Sequence, residues 1–308
     1  MTPPDAARLG PALDNPRAER VRAVRRLGRR VVRERTGRFV AEGPQAVREA
    51  LVAHRRSGDV VLDLYVAPAA ADRYPQELEL AREGRLRPVL VSDQVLAAMT
   101  DTVTPQGLVA VCSTVDRPLT DVLDDLAARP GPVLVAVLAH VRDPGNAGTV
   151  LRAADAAGAD AVLLTEASVD VHNPKCVRST AGSLFHLPVV QGAALGDVVA
   201  GLHARGLVVL AADGAGDHDL DDLLDEVDVG FGQDAGPDVP LLARPTAWLL
   251  GNEAWGLPAE HRALADAVVR VPLHGRAESL NLATAATVCL YASARAHRRG
   301  RRAVAGSR

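Results

Sequence analysis

The chain is poor in the residues that staple or metallate small proteins. Its three cysteines, Cys112, Cys176 and Cys289, lie far apart with no C-x-x-C pair, which argues against a disulfide framework and against a structural zinc site. Aromatics make up only 3% of 308 residues, so the core must be built from Ala, Val and Leu. Lysine is nearly absent, with Lys175 alone against 35 Lys and Arg together, and no Walker lysine motif exists because Lys175 sits in NPKC. No apolar run is long enough to span a bilayer, and the start, MTPPDAARLG, lacks the apolar stretch of a signal peptide, so a cytoplasmic protein is expected.

What is present is uneven charge. The formal net charge is −3, yet Arg17 to Arg38 holds ten arginines against Glu19 and Glu34. Asp213 to Asp238 holds ten acids and no Lys or Arg. Local basic charge with acid elsewhere suits a polyanion binder with a confined footprint. Arg17 to Arg35 reads as one basic helix, and Arg22, Arg26, Arg29, Arg30 and Arg33 are the candidate RNA contacts. The acidic stretch reads as an exposed insertion.

Helical and strand patterns alternate along most of the chain, as in an α/β protein with a mostly parallel sheet covered on both faces. Strand-like runs in the longer half are Val133–Ala139, Ala161–Leu164, Leu187–Val190, Leu207–Ala212, Thr246–Leu250 and Val268–Leu273. The expected organisation is a disordered segment at 1–16, a small α/β domain at 17–115, a linker at 116–132, a larger α/β domain at 133–298 and a basic tail at 299–308. The strand Leu207–Ala212 followed by Asp213-Gly214-Ala215-Gly216 imitates a dinucleotide fingerprint, but Asp219 stands where its third glycine belongs and the nearby carboxylates would repel a pyrophosphate.

Three polar segments leave apolar runs: DPGNAGTVLRAADAAGAD (143–160), LLGNEAWGLP (249–258) and VPLHGRAESLNLATAA (271–286). Polar groups at strand ends are how α/β proteins build sites, and three such ends suggest a composite one. Each has a plainer reading. Asn146 could satisfy a turn and Arg152 could be a solvated helix residue. Trp255 could be a packing residue and Ser279 a helix cap. Gly251 and Gly256 permit positive φ or close backbone approach. Glu253 between them is an odd choice for a mere turn.

In order and spacing, Asn146-x-Gly148…Arg152-x-Ala154, Gly251-Asn252-Glu253 with Gly256-Leu257, and Ser279-Leu280-Asn281 resemble the three signature motifs of the SpoU (TrmH-like) branch of the SPOUT superfamily. Asn173-Pro174-Lys175…Arg178…Ala181-Gly182 adds support between them. Arg38-Phe39-Val40-Ala41-Glu42-Gly43 and Thr104-Pro105-Gln106-Gly107 resemble the N-terminal substrate-binding domain of many members. Ala254 departs from the family, which usually has glycine there, and bears on loop geometry only.

The resemblance implies an S-adenosylmethionine-dependent RNA 2'-O-ribose methyltransferase, with rRNA as the expected substrate and tRNA as the alternative, a C-terminal trefoil-knot domain and no metal. A catalytically inactive RNA-binding protein is the alternative from another class. By resemblance the site is Asn146, Arg152, Glu253, Ser279 and Asn281, and the donor is held around Leu250, Gly251, Val271, Leu273, Leu280 and Asn281. Members are typically homodimers that share the equivalent of Arg152 across the interface.

Overall fold

A computed structural model describes residues 12–231 and 239–306. The chain divides into two compact units. One comprises the chain through Val115 together with Asp170–His186, and the other Asp116–Val169 together with Leu187 onward.

The first unit carries strands β1 (Arg38–Glu42), β2 (Val61–Val66), β3 (Val89–Leu90) and β4 (Leu108–Ser113) in the order β1-β4-β2-β3. Leu13, expected in a disordered segment, instead bridges Val91 beside β3, donating to Leu90 O at 2.8 Å. Residues 1–11 of that segment lie outside the described residues. The single basic helix expected over Arg17–Arg35 is two helices, Glu19–Arg26 and Arg30–Thr36. Val21, Val24 and Leu27 turn into the core with Val91, Val95 and Met99.

Arg33 corrects the expected set of RNA contacts. It is 2% exposed, it pairs with Asp170 at 2.6 Å, and it donates to the carbonyls of Leu27 and Gly28 at 2.8 and 2.9 Å. It cannot also meet a phosphate. Asp170 opens the segment to His186, which the sequence reading places in the larger domain. Within this unit Arg178 of that segment also faces Glu42 at 3.5 Å, and His186 faces Glu49 at 3.0 Å.

The second unit is built on β5 (Leu134–Leu138), β6 (Ala161–Thr165), β7 (Val189–Ala193), β8 (Val208–Ala212), β9 (His218–Asp219), β10 (Thr246–Leu250) and β11 (Ala267–Arg270). Their order is β7-β6-β5-β10-β8-β11-β9, with parallel pairing between every neighbour. The runs LVAVL and TAWLL are buried at every position, as strands covered on both faces must be. Trp248 of β10 is fully buried, and its Nε1 donates to Ser293 Oγ at 2.9 Å.

The segment read as a linker with one short helix does hold that helix, Leu119–Ala127, and its Val122, Leu123 and Leu126 belong to the core of this unit. The reading of the acidic stretch as an exposed insertion fails. The acidic insertion begins with β9 and a helix, Leu220–Gly230, that buries Leu220, Leu223 and Val227; residues 232–238 lie outside the described residues. Spacing of i, i+3 and i+7 gave that helix an apolar stripe, which the density of acids hid. Among the described residues no helix is long and apolar enough to cross a membrane.

Sheet order places the site. β10 lies between β5 and β8, with Leu250 level with Leu138 on one side and Ala212 on the other. Val269 of β11 is level with Ala212. Because all these strands run the same way, the segments that follow Leu138, Leu250 and Arg270 leave from one edge of the sheet.

Candidate active site

The first polar segment folds as a capped helix. Asp143 accepts from Asn146 N at 2.8 Å, Pro144 occupies the first turn, and Gly158 ends the helix Pro144–Ala157 at φ 76°. Capping fixes the backbone of Asn146, and its side chain is fixed from two sides. Asn146 Nδ2 donates to Glu253 Oε1 at 3.2 Å, and Asn146 Oδ1 accepts from Asn281 Nδ2 at 3.0 Å. Glu253 also accepts from the backbone N–H groups of Arg142 (3.2 Å) and Asp143 (3.0 Å). One residue from each sequence segment therefore joins a single hydrogen-bonded chain.

Asn281, not Ser279, caps the last helix, Leu282–Gly306. Its Oδ1 accepts from Ala283 N at 2.9 Å while its Nδ2 faces Asn146. Ser279 is exposed and, among the described residues, makes no hydrogen bond. Arg152 is not part of the chain. It lies six residues beyond Asn146, about 120° round the helix, exposed and with no ion-pair or hydrogen-bond partner among the described residues.

The loop after β10 is rigid for reasons of its own. Asn252 and Gly256 exchange both backbone hydrogen bonds at 2.9 Å. Asn252 is 6% exposed, donates to His140 O at 2.8 Å and accepts from Ala254 N at 2.9 Å. Gly256 has φ 66°, whereas a Cβ on Gly251 would sit 2.5 Å from the Gly256 carbonyl carbon and oxygen. Gly251 thus serves the packing of its own loop. Ala254 is not among the positive-φ residues, so its departure from the family pattern costs nothing in backbone strain.

Several roles escaped the sequence reading. Asn252, read there only as a motif member, and His140, not singled out, hold the two loops together, and His140 does so at φ 56°, a conformation bulky residues seldom adopt. The His140 ring meets His261 edge-on at 5.0 Å. Thr165 and Ser168 both donate to Leu138 O, tying the end of β5 to β6. A His between a strand end and a turn was the available signal for the first of these.

Val271, Leu273 and Leu280, expected at the donor, line an open cleft of about 450 Å³ with Leu220, Gly275 and Val288. Leu250 and Gly251 do not line it. Residues 271–281 lie outside helix and strand, and Leu273 and Leu280 are exposed apolar residues on that stretch. A cleft of this size, with this largely apolar lining, is suited to a nucleoside-bearing methyl donor. Leu280 faces the cleft and its neighbour Asn281 joins the polar chain, so donor cleft and polar cluster are adjacent in sequence. Among the described residues no group of three or more His, Cys, Asp or Glu could hold a metal ion.

The geometry has known counterparts. Residues 133–291 match the SpoU rRNA Methylase family, and residues 18–110 match the MRM3-like substrate binding domain. The chain is 32% identical to the 23S rRNA (guanosine(2553)-2'-O)-methyltransferase RlmP of Bacillus subtilis (strain 168), over 91% of this chain and 97% of that one. It is 33% identical to the 23S rRNA (uridine(2479)-2'-O)-methyltransferase of Streptomyces viridochromogenes, over 90% and 89%. Among solved structures it resembles the SpoU methyltransferase AviRb of S. viridochromogenes in complex with AdoMet, with a TM-score of 0.71 and 30% identity over 90% of this chain and 98% of that one. With its three motifs converging on one sheet edge, the chain belongs to the SpoU rRNA methylase family, as an S-adenosylmethionine-dependent RNA 2'-O-methyltransferase.

Proposed function

We propose that the second unit methylates a ribose 2'-hydroxyl of structured large-subunit rRNA in the cytoplasm. The observation that carries this reading is the chain Asn281–Asn146–Glu253 beside the apolar cleft. The donor, when bound, supplies a methyl group on a positively charged sulfur, already activated for transfer. The residues around Val271, Leu273 and Leu280 hold the donor, while Leu250 and Gly251 act on the site only by shaping the loop that carries Glu253. Asn146 and Asn281 present amide groups to the acceptor ribose and its phosphate, and Glu253 keeps the Asn146 amide in one orientation. Ser279 completes the rim.

Arg152 acts from a second subunit. Its exposure on the helix Pro144–Ala157, without a partner among the described residues, supports that assignment, as do exposed Val288 and Tyr291 on the last helix. A guanidinium stays protonated near neutrality, so Arg152 orients the phosphate rather than accepting the hydroxyl proton. The position of β10 between β5 and β8 supports a C-terminal trefoil knot in which the loops after β10 and β11 are threaded. Exposed Arg22, Arg26, Arg29 and Arg30 of the first unit contact RNA phosphates.

Mixing variants tests the shared site. Asn146→Ala and Arg152→Ala are each expected to bind donor and to methylate little. In an equimolar mixture that exchanges subunits, half the dimers carry one intact site, restoring about a quarter of wild-type activity. A mixture no more active than either variant alone would contradict a site built from two subunits.

A further inference from the structure

We propose that Trp255 and Arg142 form a stacking platform for a nucleobase of the substrate RNA, next to the acceptor ribose; this rests on the reading of the site as an RNA methyltransferase. The chain has two tryptophans, and their environments are opposite. Trp248 is fully buried, whereas Trp255 is 51% exposed on the loop that supplies Glu253. The packing role open to Trp255 from sequence is not the one it takes. A large indole left in water beside a polar site marks a surface meant to be covered.

The guanidinium carbon of Arg142 lies 5.1 Å from the centre of the Trp255 ring. Both members are tied to the polar cluster. Arg142 N donates to Glu253 Oε2 at 3.2 Å, and Trp255 is two residues along from Glu253. The loop cannot swing freely, because Asn252 and Gly256 close it with reciprocal bonds and Asn252 Nδ2 holds His140 O. The platform is therefore positioned before any ligand arrives, as a site that must hold one nucleotide in register requires.

The chemistry selects the occupant. With the Arg142 guanidinium over one face of the Trp255 ring, the other face can stack any base, because every base has a π face, and the guanidinium is left near enough to meet the phosphodiester that accompanies the base. The donor's adenine is the less suitable occupant, since the apolar cleft is formed by residues 271–280 and not by this loop. A platform of this type grips a base without reading its edge, so it should favour a splayed, single-stranded nucleotide over a stacked one.

Fluorescence of the full-length protein tests this directly. With Trp248 buried and bonded to Ser293, the solvent-sensitive emission comes from Trp255. A single-stranded rRNA fragment should quench that emission, and Trp255→Phe should remove the quenching while keeping the fold. In steady-state turnover Trp255→Leu should raise KM for RNA at least about fivefold, the low end for loss of one base–aromatic stack, with donor affinity unchanged. Trp255→Phe should restore most of the loss. Absence of quenching together with unchanged KM in Trp255→Leu would overturn the platform. Quenching by S-adenosylmethionine alone, with weakened donor binding in Trp255→Leu, would reassign Trp255 to the donor. Sedimentation showing that Trp255→Leu dissociates the protein would reassign it to a subunit contact. If RNA quenches Trp255 but no 2'-O-methyl product forms, the platform stands and the methyltransferase reading fails.

Discussion

Replacing Glu253 by Gln isolates the orienting role of one carboxylate. Glu253 accepts three hydrogen bonds, two at Oε1 from Asp143 N and Asn146 Nδ2 and one at Oε2 from Arg142 N. Glutamine has a single acceptor oxygen, and its NH2 must face at least one of these donors. One bond is lost if the amide oxygen takes the place of Oε1 and two if it takes the place of Oε2, and those that remain lose their charge assistance. A hydrogen bond to a charged group contributes about 1.5–3 kcal/mol, and Glu253 is exposed, so water offsets part of the loss and the lower end applies. If that energy holds the Asn146 amide in its productive orientation, methyl transfer should slow about tenfold, at about 1.4 kcal/mol per decade. The assay is single-turnover methyl transfer to RNA at saturating donor, paired with calorimetric donor titration. Donor affinity should not change, because the cleft formed by Val271, Leu273 and Leu280 is untouched. Wild-type turnover in Glu253→Gln, or a defect confined to donor affinity, would refute the orienting role.

Further outcomes follow from particular contacts. Burial pushes the Asp170 carboxyl up, but hydrogen bonds from His172 and Arg33 and the Arg33 charge outweigh it and bring it down to about 2. A lowered folded-state value gives stability that is complete above the unfolded value of 3.8 and is lost as pH falls through about 2. Asp170→Asn strands a buried guanidinium, so urea unfolding at pH 7 should show a loss of about 3–5 kcal/mol, and the gap to wild type should narrow from about pH 4 downward. Gly251→Ala should lower Tm, because its Cβ would overlap the Gly256 carbonyl; an unchanged melting curve would show that the loop has more room than its geometry indicates. Charge reversal at Arg22, Arg26, Arg29 and Arg30 should weaken RNA binding and flatten its salt dependence without affecting donor titration, whereas a Lys at Arg33 should instead destabilise the fold.

The strands of the second unit were legible because burial on both faces leaves runs such as LVAVL and TAWLL that few other elements tolerate. The helix after Asp143 was legible as an element, but Asp143 to Asn146 reads as a turn with the helix starting near Gly148, and the Asp143 cap carries its start back to Pro144. What sequence could not show depends on partners far along the chain. Arg33 looks like any other arginine of a basic segment until Asp170, 137 residues away, is found beside it. The break between Arg26 and Arg30 goes with the buried Arg33, which donates to the carbonyls of Leu27 and Gly28, and local spacing does not reveal that. Ser279 reads as the cap in sequence, yet the helix begins only at Leu282, so Asn281 stands at the cap position and its amide also bonds Asn146. The motif residues were legible as a set, but their pairing was not. Sheet order, with β10 between β5 and β8, decides which strand ends meet, and the order in sequence gives no hint of it.

The most direct test is nucleoside mass spectrometry of unmodified 23S rRNA incubated with the protein and isotopically labelled S-adenosylmethionine. One 2'-O-methylated nucleoside carrying the label is expected with the wild-type protein, and almost none with Asn146→Ala despite intact donor binding. Label on a base instead of a ribose, or equal ribose labelling by both proteins, would contradict a ribose methyltransferase site built around Asn146, Glu253 and Asn281.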